Sequence, residues 1–158
     1  MVSFYFWAAF IILQSNDSKS FLAKVVMVSG GYGQDERGMD SVELLQMDGT
    51  WICSMPAMPE ARWGHTQTER IACGGYGPAA TARKSLKSCL TFKSGGDDWV
   101  KTHTLKHDRW YHIAWTSTYG VMLVGGFRKS AKKRAEILLP WDNGDSILGF
   151  TLRTHGTA

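Results

Sequence analysis

Val121-Met122-Leu123-Val124-Gly125-Gly126 is an apolar run that stops on a glycine doublet. Two earlier stretches do the same, Val25-Val26-Met27-Val28-Ser29-Gly30-Gly31 and Ile71-Ala72-Cys73-Gly74-Gly75. Each doublet is followed by a loop and a second short segment, residues 40–45, 88–92 and 135–139, and then by an aromatic residue, Trp51, Trp99 or Phe150. The second glycines are 44 and then 51 residues apart, and Trp51 precedes Trp99 by 48. Arg62-Trp63-Gly64-His65 recurs as Arg109-Trp110-Tyr111-His112 after 47 residues. Three markers sharing one period of about 40–50 residues signal an array of blades or a solenoid.

Composition fits a β reading. The chain has 158 residues, the length of one domain, and is 44% hydrophobic and 20% charged, which suits a packed core. Seventeen glycines accompany seven tryptophans. Helices tolerate glycine poorly, whereas β folds use it at turns and close backbone approaches. Short Val-, Ile-, Thr- and aromatic-rich runs replace helix-period stripes. Four strands per unit are expected: 65–69, 70–74, 88–93 and 99–105 in the second, and 113–118, 121–125, 135–139 and 150–154 in the third. The first shows only 24–29, 42–47 and 51–54. The expected fold is all-β, three antiparallel blades of a partial β-propeller spanning 24–55, 62–105 and 109–155, the first incomplete.

Residues 1–20 read as a leader. Phe4-Tyr5-Phe6-Trp7-Ala8-Ala9-Phe10-Ile11-Ile12-Leu13 is an apolar run followed by polar residues. It suits a signal-peptide core and falls short of the roughly 20 residues that span a bilayer, so no stable membrane span is expected. The competing reading is a buried strand, or an artefactual start of a truncated gene. Asn16-Asp17-Ser18 matches the N-glycosylation acceptor pattern. Cys53, Cys73 and Cys89 contain no CxxC pair, against a zinc site. A Cys73–Cys89 bridge across adjacent strands is expected in a secreted chain, with Cys53 left over.

In order and spacing, the doublet, the later aromatic and the Arg-x-x-His resemble kelch repeats over about residues 24–154, which implies a kelch-type β-propeller. The chain departs from that pattern in Phe150, which stands in place of Trp, and in its short unit count. Too few strands for a closed ring imply a fragment, or self-association that completes one. Gly30, Gly31, Gly74, Gly75, Gly125 and Gly126 leave room for close packing. Trp51, Trp99 and Phe150 would each bury a large ring between blades. Arg62 and Arg109 would donate to carbonyls or a carboxylate between blades, and His65 and His112, recurring once per unit, read as packing residues.

Little in the chain reads as catalysis. No residue set matches the copper ligands of galactose oxidase, an enzyme on a kelch-like propeller, and Gly30-Gly31-Tyr32-Gly33 lacks the helix and Lys-Ser/Thr of a phosphate loop. No catalytic residue, metal or cofactor is therefore assigned. The loops after the doublets differ in charge: 32–41 carries Asp35, Glu36, Arg37 and Asp40, whereas the next two carry Arg83, Lys84 and Lys87, and Arg128, Lys129, Lys132, Lys133 and Arg134. Loops of a meander that leave one edge could dock an acidic partner. A net charge of +4 without a clustered basic face does not call for nucleic acid. The reading is a secreted, non-catalytic protein-binding module. A galactose-oxidase-like or other propeller enzyme, and an intracellular kelch adaptor without its partner domain, are the alternatives.

Overall fold

The computed structural model describes residues 9–13, 25–52, 55–68, 71–78, 84–93, 98–117, 120–127, 134–138 and 148–151. Among them are twelve strands and no helix. The first sheet contains β1 (Ala9–Leu13), β2 (Val25–Ser29), β3 (Val42–Gln46) and β4 (Trp51–Ile52). The second contains β5 (Thr66–Gln67), β6 (Ile71–Cys73), β7 (Ser88–Phe92) and β8 (Trp99–Thr104). The third contains β9 (Ile113–Ser117), β10 (Gly120–Val124), β11 (Arg134–Leu138) and β12 (Leu148–Thr151). Each sheet is an antiparallel meander in chain order. Strand β1 lies beside β5, and β5 beside β9, so the opening strands meet along one line. This arrangement is consistent with part of a β-propeller.

The first unit is complete, which corrects the three-strand expectation. Its opening strand comes from the apolar run read as a leader core: Ala9 pairs with Ser29 and Leu13 with Val25. That run lies before the first glycine doublet, so the repeat markers did not reach it.

Alternation along the strands gives each sheet two distinct faces. Met27, Val42 and Leu44 of the first sheet meet Ala72, Leu90, Phe92 and Trp99 of the second, with Met55 and Met58 between. The opposite face of the second sheet, with Ile71, Cys73, Cys89 and the adjoining Leu105, meets Ala114, Val121 and Leu123 of the third. Cys73 and Cys89 are register partners on adjacent strands and are disulfide-bonded, as expected. Closing a loop of this length contributes about 3 kcal/mol in the chain-entropy account.

Trp99 is buried, at 3% exposure, and its indole N–H donates to the Pro56 carbonyl at 3.1 Å. Trp51 does not share this burial and remains 39% exposed. It pairs with Leu45, whereas its neighbours Leu44 and Ile52 share the face turned to the second sheet. Trp51 therefore lies on the other face of the first sheet, against which no sheet packs among the described residues. The side chain of Phe150, within β12, lies outside the described residues.

The glycine doublets are explained by the sheet that follows. Gly30 and Gly74 adopt φ of 55° and 64°. A Cβ at Gly30 would lie 2.4 Å from the Arg62 carbonyl oxygen, and one at Gly74 would lie 2.5 Å from that of Arg109. The same carbonyls accept from the next amides, Gly31 N–H at 2.9 Å and Gly75 N–H at 2.8 Å. Gly125 has φ of 72° and nothing within 4 Å of its Cβ position. Gly74→Ala should therefore cost about 3 kcal/mol, combining left-handed strain of about 1–2 with displacement of a packed backbone of about 1–3. Gly125→Ala should cost only the first of these. Urea unfolding midpoints test the difference, and equal losses would rule out the carbonyl as the constraint.

Candidate functional site

The recurrent Arg and His side chains hold sheets in place. Arg62 is fully buried and donates to the carbonyls of Gly74 and Ser88 at 3.1 Å each, to Ser88 Oγ at 3.0 Å and to Glu60 at 3.3 Å. Burial pushes its pKa down to about 10, opposed by Glu60, so it stays charged at neutral pH. Arg109 donates to the Gly125 carbonyl at 2.9 Å and to Glu136 at 2.5 Å, in an ion pair with both side chains buried. The partners are carbonyls and carboxylates, as expected, but they do not lie between blades. They lie mainly in the arginine's own unit, whereas the arginine's backbone carbonyl reaches the preceding one.

His65 Nε2 meets Ser29 Oγ at 3.0 Å, and His112 Nε2 meets Thr66 Oγ1 at 2.7 Å. Ser29 also donates to Gln67 Oε1. Neither imidazole Nδ1 has a partner among the described residues. Burial, then Arg62 and His112, push the His65 pKa well below its ordinary value. Burial, then Arg109, push that of His112 down to about 3. Both rings are neutral at pH 7 and bind one sheet to the next. Among the described residues, no group of three or more His, Cys, Asp or Glu side chains is arranged to hold a metal ion, and no helix is long and apolar enough to cross a membrane.

The residues that converge on solvent do so in a cleft of about 560 Å³ on the second sheet, lined by Glu60, Lys84, Ser85, Leu86, Lys87, Ser88, Lys101 and Asp108. The segment 84–87 is held at both ends. Gly77 N–H donates to the Lys84 carbonyl at 2.9 Å, Leu86 N–H to Gly75 at 2.7 Å, and Leu105 N–H to Lys87 at 2.7 Å. Leu86 is buried, so the flanking Lys84 and Lys87 point outward on a fixed backbone. Lys101 comes from β8. Cys89 pairs with His103 but Leu90 with Lys101, a bulge that leaves Thr102 as the extra residue.

The charge of this cleft is uneven. Glu60 is engaged by Arg62 at 3.3 Å and by Ser88 Oγ at 2.8 Å, and the buried Asp108 accepts from Ser85. The ion pairs among the described residues are Arg62–Glu60 and Arg109–Glu136, so no described carboxylate neutralises Lys84, Lys87 or Lys101. The lining carries three lysines against two carboxylates, a net of +1.

The sequence therefore identified Lys84 and Lys87 but missed Lys101, Glu60 and Asp108, which are distant in the chain. Arg83, Arg128, Lys129, Lys132 and Lys133 lie outside the described residues, as does the side chain of Arg134, the first residue of β11. A second feature was also missed. Tyr32, Trp63, Tyr76, Trp110 and Phe127 form a continuous row, with successive ring centroids 5.1, 4.8, 4.3 and 6.3 Å apart. Its signal was the aromatic after each glycine doublet and the Trp after each repeated Arg. Tyr111, at φ 51°, occupies the left-handed position that Gly64 fills in the preceding unit, and its ring packs over Gly64. No family model and no curated protein matches this chain.

Proposed function

We propose that this chain is a kelch-repeat protein-binding module, secreted and non-catalytic, that holds an acidic segment of a protein partner in the Lys84–Lys87–Lys101 cleft. The observation that carries this reading is three lysines converging on one cleft whose two carboxylates are already engaged internally. Such a site attracts carboxylate-rich chains and offers mobile ammonium donors without a rigid fork. The kelch assignment rests on the order of glycine doublet, aromatic and Arg-x-x-His, together with three successive meanders. Secretion is supported by the Cys73–Cys89 disulfide, since such bonds persist in oxidising compartments. The leader reading no longer contributes, because its apolar centre forms β1.

A fluorescein-labelled glutamate octapeptide provides the test, read by anisotropy. Lys84→Glu combined with Lys101→Glu should weaken binding about tenfold or more, and added salt should weaken wild-type binding in the same direction. Equal affinity of the variant and the wild type would dismiss the cleft as the site.

A further inference from the structure

We infer that the third sheet seats the first sheet of a second copy of this chain, head to tail. One face of the third sheet, with Ala114, Val121 and Leu123, is packed on the second. On its other face Ile113 pairs with Val124, and Trp115 with Met122, which pairs in turn with Ile137. Ile113 is 71% and Trp115 62% exposed, and the other three are only half-buried. Monomeric proteins rarely leave such a contiguous apolar face in water.

The chain itself contains the pattern of what covers this kind of face. In both internal interfaces the later face of one sheet is covered by the earlier face of the next, and a backbone carbonyl of the next sheet docks on the glycine doublet. The third doublet repeats the socket without its occupant. Gly125 has open space where Gly30 and Gly74 meet a carbonyl, and among the described residues nothing accepts from the Gly126 amide. The matching plug is an earlier face open to solvent, and the first sheet presents one at its Trp51 end, Val28 on the same face being buried. Its Leu45 is half-buried and Trp51 is exposed, at the repeat position from which Trp99 seals the second sheet onto the first. Pairing two third sheets would set one socket against another. Unlike faces fit and like faces do not, which makes the contact heterologous.

Sedimentation velocity on the full chain at about 1–100 μM tests this. Wild type should associate with increasing concentration. Ile113→Asp and Trp51→Asp, at exposed sites, should each weaken association about thirtyfold or more, as loss of a central anchor does. An equimolar mixture of the two should associate again, since one intact tail then meets one intact head. Trp115→Lys and Trp51→Ser repeat each arm, with unchanged urea midpoints confirming that the variants fold. A wild-type chain that stays monomeric throughout would overturn the inference. So would Trp51 variants that associate like wild type, which would indicate pairing by like faces, or a mixture that stays monomeric.

Discussion

Glu136→Leu should lower unfolding free energy by about 3–5 kcal/mol, a large share of the roughly 5–15 kcal/mol typical of folded domains. Glu136 is fully buried and holds the equally buried Arg109 at 2.5 Å. Its carboxylate also accepts from the amides of Lys106 at 2.8 Å and His107 at 3.2 Å. Leucine keeps the bulk but deprives a buried guanidinium of its counter-charge and removes two backbone acceptors. Glu136→Gln should cost less, because one amide oxygen still accepts from those N–H groups. Arg109→Met combined with Glu136→Leu should recover part of the loss, since an apolar pair leaves no charge uncompensated. Chemical denaturation of the three variants measures all of this. A loss under about 1 kcal/mol for Glu136→Leu would show that water reaches the pair.

Lowering the pH from 5.5 to 4.5 should cost about 1 kcal/mol through His112, with His65 acting in the same direction. Both folded pKa values lie below the ordinary histidine value of about 6.5, His112 at about 3. Between those limits the unfolded chain binds protons that the folded chain refuses. Stability from these groups is thus complete above about pH 6.5 and falls as the pH drops toward 3, by at most about 1.4 kcal/mol per unit for each ring. The structural cause is local: protonation would charge a buried ring whose Nδ1 has no partner among the described residues, beside Arg62 or Arg109. His112→Asn should remove its own part of the dependence. Unfolding midpoints that do not change with pH over this interval would mean that the imidazoles protonate in place.

Much of the architecture was legible because the period is carried by residues with backbone roles. Gly74 and Gly125 marked the ends of β6 and β10, and the expected strands of the second and third units coincide with β5–β12 to within a few residues. What failed has a common physical origin. Strand β1 lacks the marker, and an apolar run of that length reads equally well as leader or strand. Trp51 and Trp99 are alike in sequence, but burial depends on whether a neighbouring sheet exists. Glu136 stands among apolar neighbours in β11, and nothing local announces that Arg109 will meet it. Lys84 and Lys87 were visible as a charged loop, whereas Lys101 joins them only through the β8 bulge. Pattern recovers what repeats along the chain; it does not recover what converges across it.

The carbonyl that docks on each glycine doublet comes from residues synthesised later. Gly30 waits for Arg62 and Gly74 for Arg109, intervals of 32 and 35 residues. At about 5–20 residues per second of translation, each glycine doublet stands unlatched for roughly 2–7 s before its carbonyl is synthesised. During that pause an apolar flank faces the crowded exit vestibule, so nascent chains that stall between Gly74 and Arg109 would be natural clients for a ribosome-bound chaperone.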